Sequence, residues 1–89
     1  MAKILLIDDD EYIRMWASIH LDKVGHQTTT AADGDPGIDL ARKIKFDLVI
    51  TDIIMPDKEG LETIIELKKE NPDIPIIAMS GGGHMSSDD

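Results

Sequence analysis

Hydrophobic and polar positions alternate along the chain in a way that predicts four strands. Mainly apolar runs occur at "KILLI" (3–7), "FDLVIT" (46–51) and "IPIIAM" (74–79). Such runs are typical of strands that are buried on both faces of a sheet. The stretch "HQTTTAA" (26–32) is β-branched but polar. It therefore predicts an exposed strand at an edge of the sheet.

Apolar residues between these strands recur at the spacing of amphipathic helices. A first helix is predicted over 10–24, with Gly25 as its stop. The stretch "ADGDPG" (32–37) supplies an acidic N-cap and a first-turn proline to a second helix. A third helix is predicted over 58–70, where "NPD" ends it. The residues expected to face the core are Ile13, Trp16, Ala17, Leu21 and Val24 in the first helix, Gly37, Leu40, Ala41 and Ile44 in the second, and Leu61, Ile64 and Ile65 in the third.

Strands that alternate with helices predict an α/β fold with a parallel sheet. With 89 residues, 42% of them hydrophobic, the chain is long enough for one small domain. The composition changes abruptly at "SGGGHMSSDD", so we expect a domain over 1–80 and either a tail or the start of a fourth helix over 81–89. The last strand is apolar throughout, which predicts either a cover from outside this sequence or a fragment with an exposed edge.

Charge and cysteine content exclude several classes of function. The net charge is −9, from 18 acidic and 9 basic residues, which argues against direct binding of nucleic acid. The chain has no cysteine, so disulfides, thiol catalysis and cysteine metal sites are excluded. The sequence shows neither a signal-peptide pattern nor an apolar stretch of membrane-spanning length. We therefore expect a cytoplasmic protein without membrane contact.

Three acidic residues are expected at the carboxyl ends of two strands. Asp8 and Asp9 follow the first strand, and Asp52 follows the third. Ligands of open parallel sheets bind at this edge, and adjacent strands lie about 5 Å apart. Carboxylates that converge there repel each other unless they hold protons or a cation, and oxygen ligands alone favour Mg²⁺ over zinc or copper. Helix capping is the ordinary role of such an acid, and we assign it to Asp10.

Other candidate residues carry weaker signals. Ser80, at the end of the fourth strand, places a hydroxyl beside the same pocket, although by itself it is an ordinary loop serine. The histidines His20, His26 and His84 have no common metal-ligand spacing, so we interpret them as surface residues.

The acidic pair in "LLIDDD", the stretch "VITDIIMPDKEG" and the stretch "IPIIAMSG" together resemble a response-regulator receiver domain of two-component signalling. The resemblance covers residues 3 to about 81. It implies a flavodoxin-like, doubly wound parallel sheet, incomplete here because the sequence provides four strands and three helices of the usual five and five. It also implies a phosphorylated signalling module rather than an enzyme.

The resemblance further implies roles for individual residues. Asp52 would be the phosphoacceptor, and Asp8 and Asp9 would help to bind Mg²⁺. The backbone carbonyl of Ile54 would be a further metal ligand. Ser80 would hydrogen-bond the phosphoryl group and switch conformation. The implied donor is a sensor histidine kinase or a phosphotransfer protein.

The chain departs from the family pattern in one respect. The family's fifth strand carries a lysine that pairs with the phosphoryl group, and nothing in this sequence matches it. Lys58 lies in the loop after the phosphoacceptor and does not replace it by position. We therefore expect a C-terminally truncated receiver with impaired output.

Two alternative interpretations remain open. "LLIDDDEY" contains the Asp-x-Asp of haloacid-dehalogenase-like phosphatases, in which Asp8 would be the nucleophile, although Tyr12 stands where that pattern has Thr or Val. Alternatively, the chain is a non-catalytic receiver remnant. Such a remnant would form a homo-oligomer through the exposed edge of its fourth strand.

Overall fold

A computed structural model describes residues 1–53 and 60–79 of the chain. These residues form one parallel sheet of four strands in the order β2-β1-β3-β4, with three helices between the strands. The predicted α/β fold with a flavodoxin-like strand order is confirmed. The strands are β1 (Lys3–Ile7), β2 (Gln27–Ala31), β3 (Leu48–Asp52) and β4 (Ile76–Met79), and the helices are α1 (Glu11–Lys23), α2 (Gly34–Lys43) and α3 (Gly60–Glu70).

The strand register brings the two acidic strand ends together. β1 pairs in parallel with β2 on one side and with β3 on the other. Ile7 lies opposite Thr51 in the β1–β3 pair, so the next residues in this register are Asp8 and Asp52. The first and third strands are therefore neighbours, and the acidic residues at their ends meet.

The main hydrophobic core lies between the sheet and the pair α2 and α3. Leu5 and Val49 of the sheet pack in one cluster with Ile38 of α2 and Leu67 of α3. Because β1 and β3 carry continuous apolar runs, residues on both faces of β1 are buried, as the sequence predicts for central strands. This packing holds the strands that carry the acidic edge.

In α2 the predicted stripe is confirmed, with one addition. Gly37 is buried, and Leu40, Ala41 and Ile44 pack against the core while remaining partly exposed. Ile38 is also fully buried, although the sequence pattern did not select it. A side chain at Gly37 would collide with the end of the Ile7 side chain, so this glycine lets α2 approach β1 closely.

The predicted inward face of α3 is wrong for two residues. Leu61 and Ile65 are 56% and 62% exposed, whereas Gly60, Thr63 and Leu67 are the buried residues of this helix. The buried set keeps helical spacing, but two of its three members are small or polar. The most hydrophobic side chains of α3 therefore do not mark its buried face, which lies beside them.

The predicted stripe of α1 is only partly correct. No residue of α1 is fully buried, and Trp16 and Val24 are exposed. Ile13, Ala17 and Leu21 are partly buried. Among the described elements α1 packs mainly against β2, a single edge strand, which is too narrow to cover the whole apolar face of the helix.

The edge expected at the fourth strand also needs one correction. β4 lies at the outer edge of the described sheet, beside β3. Ile74, expected on this edge, instead lies before the strand and is buried in the core. Its carbonyl accepts a hydrogen bond from Lys68 Nζ at 2.6 Å, which fixes the turn between α3 and β4. Ile77 is 52% exposed, as expected of an edge.

None of the described helices is both long enough and apolar enough to cross a membrane.

Candidate functional site

Three carboxylates converge at the carboxyl edge of the sheet. Asp8, Asp9 and Asp52 each offer an oxygen atom, and these atoms all lie within 4.8 Å of one another. Asp8 is 1% exposed and Asp52 is 7% exposed, whereas Asp9 is exposed. The structure thus brings together the acids that the strand ends predicted, with one of the three open to solvent.

Hydrogen bonds fix Asp8 on three sides. Its backbone N–H donates to the carbonyl of Ala31 at 3.0 Å, which extends the β1–β2 pairing by one residue. Its Oδ1 accepts from the backbone N–H of Asp10 at 2.9 Å. Its carbonyl accepts from Nη1 of Arg14 at 2.7 Å. One carboxylate oxygen is thus held by the loop, and Oδ2 can take another partner.

The environment of Asp8 favours its protonated form. Burial raises the pKa of this carboxyl above its ordinary value, and the hydrogen bond from the Asp10 N–H partly opposes the rise. The negative charges of Asp52, Asp9 and Asp10 raise the pKa further. A cation bound among these acids would offset the repulsion that raises it.

Asp10 caps a helix, as the sequence predicts. Its Oδ1 accepts from the backbone N–H of Tyr12 at 2.9 Å, at the start of α1. This bond satisfies one of the free N–H groups of the first turn. The acidic residues at 8–11 therefore have different roles, because Asp8 and Asp9 belong to the carboxylate cluster while Asp10 caps α1.

The backbone just after Asp52 is held by α3 and β4. The N–H of Ile53 donates to the carbonyl of Met79 at 2.8 Å, and the carbonyl of Ile53 accepts from the N–H of Gly60 at 2.8 Å. The buried hydroxyl of Thr51 donates to the carbonyl of Asp52 at 3.1 Å. These bonds fix the end of β3, and with it the position of the Asp52 side chain.

Several predicted residues lie outside the part of the chain that the structure describes. These are Ile54, Lys58, Ser80 and His84, together with the proposed tail over 81–89. His20 is exposed, as expected, and its Nδ1 lies 2.8 Å from the carbonyl of Trp16.

Sequence reasoning missed the roles of two residues, one at the amino edge of the sheet and one beside the site. His26 is half-buried rather than on the surface, because its Nδ1 accepts from the backbone N–H of Ala2 at 3.0 Å. Arg14 reaches back to the loop that carries Asp8 and Asp9. One indication of this role was present in the sequence, since Arg14 is a basic residue close to the start of a helix, where acidic residues are preferred.

Comparison with known proteins identifies the family. A family model described as the response regulator receiver domain matches residues 4–88. The chain belongs to the response-regulator receiver family. The family suggested by the sequence motifs is therefore confirmed, as are two-component signalling and the flavodoxin-like fold.

Individual relatives agree with this assignment. Over 77 residues the chain is 34% identical to TcrX, a probable transcriptional regulatory protein of Mycobacterium tuberculosis. The matched region covers 86% of this chain but only 33% of the length of TcrX. The crystal structure of the response regulator TrrA of Thermotoga maritima, in complex with Mg²⁺–BeF, matches with a TM-score of 0.87 and 35% identity, over 99% of this chain and 76% of TrrA. TrrA in complex with the histidine kinase ThkA matches with a TM-score of 0.86, at the same identity and coverage.

Proposed function

We propose that this receiver domain is a phosphoacceptor in a two-component phosphorelay, with Asp52 as the residue that takes the phosphoryl group. The observation that supports this most directly is the convergence of Asp8, Asp9 and Asp52 within 4.8 Å at the carboxyl edge of the sheet. A parallel α/β sheet binds its ligands at that edge. Asp52 ends a central strand, where hydrogen bonds to its backbone and its neighbours fix its position.

The donor set of this site fits Mg²⁺. Its three side chains are carboxylates, the hard oxygen ligands that Mg²⁺ prefers. Asp9 is exposed, which leaves room for the water ligands that Mg²⁺ usually keeps. We assign Asp8, Asp9 and Asp52 as the residues that hold the ion. When bound, Mg²⁺ supplies positive charge that offsets the phosphoryl oxygens.

The proposed step transfers a phosphoryl group to a carboxylate. A carboxylate oxygen of Asp52 forms a bond to phosphorus while the bond from phosphorus to the donor atom breaks. The leaving atom keeps the electron pair of that bond and takes a proton from solvent. Asp8 must be deprotonated to hold the ion, and its raised pKa means that a cation and a proton compete for it.

Two further residues complete the proposed site. We assign the backbone carbonyl of Ile54 as a metal ligand and the hydroxyl of Ser80 as a hydrogen-bond donor to the phosphoryl group and a conformational switch. Both assignments rest on the family resemblance of the stretches "VITDIIMPDKEG" and "IPIIAMSG".

The proposed partner is a sensor histidine kinase or a phosphotransfer protein that supplies the phosphoryl group. Support comes from TrrA, which is 35% identical to this chain and has been crystallised in complex with the histidine kinase ThkA. The net charge of −9 disfavours direct contact of this chain with nucleic acid.

The experiment is phosphorylation by acetyl phosphate, followed by intact-protein mass spectrometry and peptide mapping. With Mg²⁺ present we expect one phosphoryl adduct, located on Asp52. Asp52→Asn should remove the adduct, because an amide is not nucleophilic enough to accept the group. The matched control is Asp22→Asn, an equivalent change at an exposed position near the other end of α1, which should leave the adduct in place.

The same experiment separates the receiver from the phosphatase interpretation. An adduct that persists in Asp52→Asn, or that maps to Asp8, would reject Asp52 as the phosphoacceptor. It would favour the Asp-x-Asp chemistry in which Asp8 is the nucleophile. The absence of any adduct in the unmodified chain would contradict the proposed activity, while leaving the family assignment intact.

We propose, in addition, that the 89-residue chain forms homo-oligomers through the outer edge of β4. Within the described sheet β4 pairs only with β3, and Ile77 and Ala78 are exposed there. Unpaired apolar edges favour pairing with another chain. A second copy of the chain offers an identical edge, which is the simplest source of such a partner.

A further inference from the structure

Arg14 connects α1 to the loop that carries two of the three clustered acids. Its Nη1 donates to the backbone carbonyl of Asp8 at 2.7 Å, and the contact is partly buried. Its own backbone N–H donates to the carbonyl of Asp10 at 3.0 Å, within the first turn of α1. The side chain thus folds back over the turn between β1 and α1 and closes it.

The position of Arg14 is electrostatically unusual. It is the fourth residue of α1, close to the positive end of the helix dipole, where acidic side chains are favoured and basic ones are not. Its guanidinium remains there because it contacts a carbonyl beside four consecutive acids, at residues 8–11. Arginine also provides several donors in a fixed plane and is always charged, which suits a permanent contact to one carbonyl.

The contact controls Asp8 through its backbone. Asp8 has a backbone N–H bound to Ala31 and one carboxylate oxygen bound to the Asp10 N–H. The Arg14 bond to its carbonyl completes the set, so the peptide that joins Asp8 to Asp9 is held in one orientation. Since both residues belong to the acidic cluster, that orientation sets where their carboxylates lie relative to Asp52.

We infer that Arg14 is a positioning residue for the metal site, which aligns Asp8 and Asp9 for Mg²⁺ by holding the carbonyl of Asp8. The inference rests on the proposed phosphoacceptor function. Residues that orient metal ligands typically change metal affinity 10- to 100-fold when they are replaced.

The direction in which Arg14→Gln changes the Mg²⁺ affinity distinguishes a positioning role from an effect of the Arg14 charge alone. Arg14 is a cation near a cation site, so its charge by itself repels Mg²⁺. If Arg14 acted only through its charge, Arg14→Gln would bind Mg²⁺ more tightly than the unchanged chain. If Arg14 positions Asp8 and Asp9, the same variant binds Mg²⁺ more weakly, by about tenfold. The two explanations therefore predict opposite changes in Mg²⁺ affinity.

The test is an Mg²⁺ titration of the full chain, in which binding is measured from the amide NMR signals near residues 8–10 and 52–53. We expect Arg14→Gln to bind about tenfold more weakly and Arg14→Lys, which keeps the charge but loses the planar fork, to recover part of the affinity. The matched control is Arg42→Gln, which removes the same charge from the helix end opposite the site. It should stay within about twofold of the unchanged chain.

The outcomes of the titration all bear on the inference. Equal or tighter Mg²⁺ binding by Arg14→Gln would overturn it, as would an equal loss of affinity in Arg42→Gln. If the unchanged chain bound no Mg²⁺, the proposed function would fail instead.

Hydrogen exchange tests the positioning without metal. The Asp10 amide donates to the Asp8 carboxylate, so it should exchange faster in Arg14→Gln, while the amides of β3 exchange as before. An unchanged rate at Asp10 would show that Arg14 does not hold this loop. Faster exchange throughout the sheet would show a general loss of stability and would also reject a positioning role.

Discussion

The backbone N–H of Gly60, the first residue of α3, donates to the carbonyl of Ile53, the residue directly after Asp52, at 2.8 Å. α3 thus begins against the end of β3. A side chain at Gly60 would overlap the backbone of Asp52 and Ile53, which cannot move aside as the end of a side chain can. Close packing at this glycine therefore fixes the strand end that carries the proposed phosphoacceptor.

Gly60→Ala should destabilise the domain and disturb the site together. Overpacking against fixed atoms costs about 1–3 kcal/mol, and here the atoms that must shift include the Asp52 carbonyl. We expect a lower urea midpoint and weaker Mg²⁺ binding. Gly37→Ala is the matched control, since its new methyl would meet side-chain atoms of Ile7 and Ala31 rather than backbone. Gly37→Ala should cost less and leave Mg²⁺ binding unchanged, and an equal effect of both variants would contradict this explanation.

Asp8→Asn should make stability less dependent on pH. The pKa of Asp8 is raised in the folded state, so the folded chain binds more protons than the unfolded chain above the ordinary value of 3.8. Stability is therefore lost as the pH rises through the raised pKa. Asparagine keeps an oxygen for the Asp10 N–H but carries no charge. We expect the variant to be more stable than the unchanged chain at neutral pH.

Urea unfolding near neutral pH and near about pH 3 measures this effect. The two chains should converge at the acidic pH, where Asp8 is protonated in both states. Saturating Mg²⁺ should reverse the order at neutral pH, because it stabilises the unchanged chain by mass action and the variant has lost a ligand. A variant that is less stable than the unchanged chain at neutral pH without metal would contradict the assigned cause of the pKa shift.

Leu67→Ala should be far more damaging than Leu61→Ala, although both residues lie in α3. Leu67 is buried in the main core, whereas Leu61 is exposed. Truncation of a buried leucine costs about 2–5 kcal/mol through lost burial and the cavity it leaves. An exposed position changes stability by about 0.5 kcal/mol or less. Urea unfolding of the two variants gives the comparison directly, and similar losses would mean that α3 is rotated from the orientation described.

The fold could be predicted from the sequence because strand and helix signals alternate strongly. The runs "KILLI" and "FDLVIT" required burial on both faces, and the paired β1 and β3 provide it. The facing of the helices was less predictable. In α3 the sheet accepts Gly60 and Thr63 because small side chains allow a close approach, and a hydrophobic ranking overlooks both. Trp16 was expected in the core but is 64% exposed, since α1 packs mainly on the narrow edge strand β2.

The acidic cluster could be predicted because it depends on strand ends alone. Parallel pairing of β1 and β3 brings Asp8 and Asp52 to one edge whatever the details of the loops. The role of Arg14 could not be predicted in this way. Its contact depends on the rotation of α1 and on the path of a short turn, which hydrophobic periodicity does not encode.

Because β4 lies at the outer edge of the described sheet, we expect the 89-residue chain to self-associate. Ile77 is 52% exposed on this strand, and Ala78 is also exposed, so pairing with a second copy would bury apolar surface and bond backbone groups that have no partner strand within the described sheet. Complete burial of an isoleucine contributes about 1.5–3 kcal/mol, and Ile77 is already half-buried, so burying the rest contributes about half of that. Backbone pairing along the strand adds to this gain. We therefore expect dimers or larger assemblies at micromolar concentration, detected by light scattering after size exclusion.

Ile77→Lys tests whether β4 is the surface responsible. A charged side chain on an edge strand opposes edge-to-edge pairing, so this variant should shift the chain towards monomer. Ile65→Lys is the matched control, because Ile65 is a similarly exposed isoleucine on α3, away from the strand edge. It should leave the assembly unchanged. If the unchanged chain runs as a cooperative, stable monomer, the edge does not drive association. If Ile65→Lys dissociates the assembly while Ile77→Lys does not, the helical face is the interface instead.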